Sequence, residues 1–206
     1  MTYLRQMDWY GFTVKNLAEK DREAVRSWRW AIRESLPEAK YGLWIFGQRV
    51  AGTSYLGLVT GAQMAFKQGY LDAQVVSAID LLQQLRGVWS AGALMRSNAD
   101  DVGLYWEAVM AEDDLQLYFT GDLLIIDDLH DETIDWSMWR KHIQPLVEQR
   151  VKAKMATIVC TTMPPDDTAL PKGLVNGLFQ TLHCDGYRPE KNMYTPPTAS
   201  QSDAEG

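Results

Sequence analysis

The chain has 206 residues, 46% of them hydrophobic and 23% charged, which is enough for one α/β domain with its own core. The formal net charge of −7 excludes a surface that is basic throughout, but it leaves room for a local basic groove. No apolar run approaches the length of a membrane span and the N-terminus lacks a signal-peptide pattern, so we expect a cytosolic protein without membrane contact.

Helical and strand patterns alternate along the chain. An aromatic arm over residues 1–11 precedes a helix that Asn16 or Asp21 caps and that ends near residue 35. The later helices are predicted over 54–68, 79–86, 100–110, 135–152 and 170–182, with a loop over 87–97. The strands are predicted over 43–46, 73–77, 123–126 and 157–160.

Strands that alternate with helices indicate a mostly parallel sheet covered by helices on both faces. The sequence shows no internal repeat and no second core, so we expect a single domain over residues 1–187. Residues 188–206 are rich in Pro, Ser, Thr and charge, which predicts a disordered tail.

A phosphate-binding loop pattern, G-x-x-x-x-G-K-[ST], follows the first predicted strand, but its lysine is replaced. The residues of this loop are Gly47, Gln48, Arg49, Val50, Ala51, Gly52, Thr53 and Ser54. Backbone N–H groups of such a loop, together with the N-terminus of the next helix, bind phosphate. Thr53 stands at the lysine position, so the cation that offsets β- and γ-phosphate charge is missing, and Arg49 is the candidate to replace it.

Two carboxylates follow a run of four aliphatic residues in the third predicted strand. In P-loop proteins a carboxylate at this point holds Mg²⁺ together with the loop hydroxyl. We therefore assign Ser54 and Asp127 as magnesium ligands and Asp128 as the group that orients the attacking water. The alternative is an ordinary strand–helix turn and two acids at a strand end, so ATP or ADP with Mg²⁺ is either still bound or lost.

The order of these segments resembles the AAA+ domain of DnaC-type helicase loaders and of the related IstB transposition ATPases, over about residues 10–182. The resemblance is carried by Gly42–Gly47, by Leu124–Leu129, which matches the Walker B segment, and by Thr157–Thr162. It implies an AAA+ P-loop NTPase fold. It also implies that Thr162 occupies the position of the sensor-1 asparagine.

The chain departs from the family pattern at the groups that promote hydrolysis. Thr53 replaces the lysine, Val50 replaces a glycine, Thr162 replaces the sensor asparagine, and the late segment around 172–179 has no arginine to serve as a finger. These changes predict weak or absent ATP hydrolysis.

The resemblance implies a helicase-loader-like protein that assists DNA replication, of phage or plasmid type, with a replicative helicase or another replication protein as partner. The alternative is a pseudo-ATPase scaffold that binds a protein without nucleotide turnover. Weak binding of single-stranded DNA and assembly into a homo-oligomer remain open. A basic set could contact DNA or simply form a solvated face: Arg140, Lys141, Arg150, Lys152 and Lys154.

Overall fold

The computed structural model describes residues 19–48, 51–68, 70, 72–97, 115–130, 135–167, 170 and 173–184. The predictions for the arm at 1–11, the helix at 100–110 and the tail after 187 lie outside these residues. Within the described part, no helix is both long and apolar enough to cross a lipid bilayer.

A single parallel sheet organises the described residues. Its strands are Gly42–Phe46 (β1), Ala73–Ser77 (β2), Leu123–Leu129 (β3), Ala156–Thr161 (β4) and Phe179–His183 (β5). They pair in the order β2-β3-β4-β1-β5, so β4 separates β1 from β3. All six residues of β4 and the first four of both β1 and β3 are buried, as expected for strands covered on both faces.

The helices connect successive strands. They are Glu19–Arg33 (α1), Thr53–Gln68 (α2), Ala78–Ser97 (α3), Trp136–Met138 (α4), Gln144–Lys152 (α5) and Leu174–Leu178 (α6). A π-helical turn over Trp139–Ile143 joins α4 to α5, and residues 115–120 are also helical. The predicted helix over 135–152 is therefore present, interrupted by a π turn. Its predicted apolar stripe is buried: Trp139, Ile143, Leu146, Val147 and Val151.

Both faces of the sheet carry helices, which confirms the predicted α/β architecture. On one face α2 approaches β4 so closely that a Cβ at Gly57 would lie 2.3 Å from the Sγ of Cys160. On the other face α5 places Arg150 against Thr157 of β4, with Nε donating to Oγ1 over 3.1 Å. Because successive residues of a strand face opposite sides, Thr157 and Cys160 mark the two faces.

The predicted loop at 87–97 is wrong, because α3 continues through it to Ser97. Gly87 suggested a break, yet a lone glycine inside a helix costs only about 1 kcal/mol relative to alanine. The following segment contains Ala91, Ala93, Leu94 and Met95, which favour a helix.

The predicted helix over 170–182 is also wrong, because only Leu174–Leu178 is helical and a fifth strand follows. Phe179 is buried and packs edge-on against Trp44 of β1, with ring centroids 5.5 Å apart. Pairing of β5 with β1 thus overrides the helical pattern, as tertiary contacts often do.

The third strand is longer than predicted. It continues past Ile126 to Leu129, so the two acids lie inside the strand and do not end it. The pairing register with β4 shifts between Ile126 and Leu129, which indicates a β-bulge at the acids. Bulges redirect side chains and are common beside functional sites.

Candidate nucleotide-binding site

The loop after β1, the acids of β3 and the residue after β4 lie at one edge of the sheet. All three strands are parallel, so their carboxyl ends meet there. In open α/β sheets this is the edge at which ligands bind.

Each end of the loop has a glycine that the structure requires, one for a close contact and one for its backbone conformation. A Cβ at Gly47 would lie 2.5 Å from the backbone oxygen of Cys184, and the Gly47 N–H donates to Thr161 O over 3.2 Å. Gly52 has a φ of 84°, which lies in the left-handed region that favours glycine. Arg49 and Val50 lie outside the described residues, so the replacement cation and the effect of valine stay predictions.

Thr53 is the first residue of α2 and is only 6% exposed. At the position of the motif lysine, the protein therefore has a short neutral side chain that is buried. The first N–H groups of a helix have no partner within the helix and carry partial positive charge. The N-terminus of α2 still offers these donors at the end of the loop, where the Leu56 N–H already bonds to Gly52 O.

Ser54 and Asp127 meet across β4. Their roles as magnesium ligands stay a prediction. The Ser54 hydroxyl donates to Asp127 Oδ1 over 2.8 Å, although the two residues are 73 positions apart. The backbone N–H of Asp128 donates to the same oxygen over 2.9 Å. Burial raises the pKa of Asp127, while the Ser54 hydrogen bond acts in the opposite direction.

These two oxygen donors fit magnesium. Mg²⁺ prefers oxygen ligands and usually keeps several waters and substrate phosphates, with only one or two protein carboxylates. No group of three His, Cys, Asp or Glu residues suited to a metal occurs in the described part of the chain, so an all-protein metal site is not offered there.

Asp128 projects outward, with 63% of its side chain exposed and a φ of 55°. That left-handed conformation is uncommon for residues other than glycine, although aspartate adopts it more readily than most. The bulge thus separates the two acids: Asp127 turns inward to Ser54 and Asp128 turns toward solvent. This division agrees with the predicted roles of ion ligand and water-orienting group, which remain proposals.

His130 also belongs to the site, and sequence reasoning missed it. Its Nδ1 lies 3.3 Å from Thr162 Oγ1, and its Nε2 lies 3.5 Å from Asp128 Oδ1. The available signal was its place directly after the acid strand, two residues from Asp128.

A polar cleft of about 430 Å³ lies beside the acids, between β2, α3 and β3. Its polar lining comprises Ser77, Asp80, Gln83, Gln84, Asp127 and Asp128. Asp128 therefore borders open space and is accessible to water.

The predicted basic set does not form one patch. Arg150 is fully buried, so it cannot contact DNA. Arg140 and Lys141 are exposed in the π turn, whereas Lys152 and Lys154 are exposed at the far end of α5. Lys152 lies eleven positions after Lys141 along the helical stretch, or about 16 Å along the axis.

No protein-family model and no curated protein sequence matches this chain. Solved structures do match. A DnaC helicase loader superposes with a TM-score of 0.59 at 16% identity, covering 86% of this chain and 98% of the loader chain. The described residues have an α/β P-loop NTPase fold like that of this helicase loader.

Two further structures share this fold. A putative primosome component from Streptococcus pyogenes gives a TM-score of 0.53 at 14% identity, covering 88% of this chain and 90% of that one. AMPPCP-bound DnaA from Aquifex aeolicus gives 0.54 at 17% identity and covers 84% of this chain. The chain spans only 51% of that DnaA chain, about half its length.

Proposed function

We propose that this protein is a helicase-loader-like AAA+ protein that assists DNA replication and binds Mg²⁺–ATP or ADP between its phosphate-binding loop and the acids of β3. One observation carries the proposal: the Ser54 hydroxyl lies 2.8 Å from Asp127 Oδ1 across an intervening strand. The hydroxyl of the loop and the carboxylate of the acid strand are therefore close enough for one magnesium ion to bind both.

Similarity in fold supports the same proposal. The match covers 98% of the solved chain of a DnaC helicase loader. A DnaA structure with the same fold holds AMPPCP, an ATP analogue. We extend nucleotide binding and a role in replication from these proteins to this chain.

Hydrolysis is weak in this proposal, because the charges that stabilise phosphoryl transfer are reduced. Thr53 supplies no cation, Thr162 replaces the sensor asparagine, and α6 carries no arginine. Catalysis of phosphoryl transfer consists mostly of positioning and electrostatic stabilisation, so these replacements slow the reaction more than they weaken binding.

The partner in this proposal is a replicative helicase or another replication protein. Contact with single-stranded DNA is weak, and nucleotide at a boundary between copies of the chain would support a homo-oligomer. The motif changes fit a phage or plasmid version of the loader.

A second function, a pseudo-ATPase scaffold, is favoured by one specific observation. Asp127 Oδ1 already accepts hydrogen bonds from Ser54 and from the Asp128 N–H, so the site is satisfied without a cation. A site whose polar groups hydrogen-bond to one another can keep its geometry after nucleotide binding is lost. In that case the AAA+ fold only presents a surface to a protein partner.

A calorimetric titration of the purified protein with ATP and ADP, each with and without Mg²⁺, separates the two functions. The loader-like function predicts saturable binding that Mg²⁺ strengthens and that Asp127→Asn weakens at least tenfold. Thr181→Val, an exposed change in β5 away from the loop, is the control and should leave affinity unchanged. Absence of binding to the unmodified protein would rule out the nucleotide-binding function and favour the scaffold.

A further inference from the structure

His130 connects the ends of β3 and β4 through its two ring nitrogens. One nitrogen lies 3.3 Å from the Thr162 hydroxyl and the other 3.5 Å from the Asp128 carboxylate. Only 14% of the His130 side chain is exposed, whereas 63% of the Asp128 side chain is. A mostly buried ring therefore lies beside an exposed acid.

A single neutral tautomer satisfies both contacts. With the proton on Nε2, the ring presents an N–H to Asp128 Oδ1 at 3.5 Å, and the lone pair of Nδ1 accepts the proton of the Thr162 hydroxyl. The order of donors and acceptors then runs from Thr162 through His130 to Asp128.

The threonine end of this series is fixed by the neighbouring residue. The Thr161 hydroxyl donates to Leu129 O, and the Met163 N–H donates to Thr161 Oγ1 over 3.0 Å. The backbone on both sides of Thr162 is thereby held against β3. The His130 ring consequently has a stationary partner on one side and an adjustable carboxylate on the other.

We propose that His130 is a positioning residue, which orients the Asp128 carboxylate toward the water that attacks the γ-phosphate of a bound nucleotide. In that step the water oxygen bonds to the γ-phosphorus, its proton passes to Asp128, and the bond to the bridging oxygen breaks to release ADP. This inference rests on the proposed nucleotide binding and names the residue that supports its slow hydrolysis.

The first test needs no nucleotide. In protein labelled with ¹⁵N at its three histidines, the ring signals of His130 are assigned by their loss in His130→Gln. Thr162→Val should shift the Nδ1 signal and Asp128→Ala the Nε2 signal, whereas Thr162→Ser should restore the former. Thr181→Val is the matched control. If neither partner variant moves these signals, the contacts are not made and the inference is wrong.

The second test is single-turnover hydrolysis with protein in excess over labelled ATP. His130→Leu and Thr162→Val should each lower the rate at least tenfold while the ATP dissociation constant changes less than about twofold, since general-base assistance contributes about 10²–10⁴. In an Asp128→Asn background His130→Leu should cause no further loss, because it acts through that acid. If His130→Leu does not fold, Thr162→Val carries the test.

Failure of the inference and failure of the proposed function give different results. ATP binding with unchanged rates in the variants, or with no hydrolysis above buffer in the unmodified protein, overturns the positioning role and leaves nucleotide binding intact. No ATP binding at all overturns the proposed function, and the positioning role with it, even where the ring contacts are found.

Discussion

Asp21 lies on the core face of α1 with 3% exposure, and no described group donates a hydrogen bond to its Oδ1. A buried charge without a partner is destabilising, whereas the helix N-terminus favours an acid by at most about 1 kcal/mol when exposed. We therefore expect Asp21→Asn to raise the free energy of unfolding by about 1 kcal/mol at pH 7.5. Glu19→Gln, in the same first turn but exposed, should be neutral or slightly destabilising. Urea unfolding of both variants checks this, and a loss of stability in Asp21→Asn would contradict it.

The benefit of Asp21→Asn should depend on pH. Burial raises the pKa of Asp21, with Lys20 and His183 acting in the opposite direction. A carboxyl whose folded pKa is raised contributes stability that is present below its unfolded value, near 4, and lost as pH rises through the folded value. The difference between variant and unmodified protein should therefore shrink from pH 7.5 toward pH 4. A difference that grows on acidification would show that Asp21 is stabilised as an anion.

Arg150 is fully buried and donates to three neutral acceptors, which are Tyr118 O at 2.8 Å, Ala156 O at 2.9 Å and Thr157 Oγ1 at 3.1 Å. Burial lowers its pKa to about 10, so it remains charged at neutral pH. We expect Arg150→Met to destabilise the fold by about 3 kcal/mol, because it leaves buried acceptors without a donor. Lys152→Met, exposed two residues later, should stay within about 0.5 kcal/mol. Chemical denaturation measures both, and equal effects would refute a structural role for Arg150.

At this scale the sequence allowed prediction of the residues whose motif has fixed spacing. The loop and acid-strand patterns single out Ser54 and Asp127, whose roles as magnesium ligands stay a prediction. They do not reveal the contacts of His130 or the burial of Arg150, because each depends on which strand lies next to which. That adjacency is a tertiary property, and hydrophobic periodicity does not contain it.

Among the elements, α2 depends on two glycines that let it lie close to the sheet. A Cβ at Gly57 would lie 2.3 Å from Cys160 Sγ, and one at Gly61 would lie 2.4 Å from Ile125 Cδ1. Alanine normally favours a helix over glycine by about 1 kcal/mol, but here overpacking costs about 1–3 kcal/mol. We therefore expect Gly57→Ala to be destabilising overall, as measured by the thermal midpoint.

The matched control is Gly87→Ala in α3, where a Cβ would meet nothing within 4 Å. This variant should be stabilised by about 0.5–1 kcal/mol through helix propensity alone. It also tests whether α3 runs through Gly87, because alanine would bring little benefit in a loop. A rise in the thermal midpoint for Gly57→Ala would show that α2 does not pack against β4 this closely.

Element types were predictable wherever hydrophobic patterns were long or bounded by clear breakers. The four predicted strands all exist, and their alternation with helices indicated the parallel sheet. The errors at 87–97 and 170–182 have opposite physical causes. The helix α3 tolerates Gly87 and continues, whereas α6 ends at Leu178 because Phe179–His183 pairs with β1.

The charge of the whole molecule limits its contact with nucleic acid. The net charge is −7, and the exposed pairs Arg140–Lys141 and Lys152–Lys154 lie about 16 Å apart along one helical stretch. We expect oligo-dT to bind no tighter than about 10 µM at physiological salt and to dissociate steeply as salt rises. Fluorescence anisotropy at low and moderate salt measures this, with Arg140→Gln/Lys141→Gln and Lys152→Gln/Lys154→Gln as paired variants. Tight, salt-resistant binding would contradict this expectation and indicate that DNA, and not another protein, is the main partner.

The two cysteines give the protein a chemical reporter of its own. Cys184 is 4% exposed, its Sγ donates to Ala51 O over 3.0 Å, and its N–H donates to Phe46 O over 2.8 Å, so it joins both ends of the phosphate-binding loop. Cys160 is buried under α2, and burial raises the pKa of its thiol, which keeps it unreactive. We therefore expect an alkylating reagent to reach Cys184 when the loop detaches. The alkylation rate then measures how often the loop opens. Any molecule that holds the loop closed would reveal itself by slowing that reaction, without a label and before its chemical nature is known.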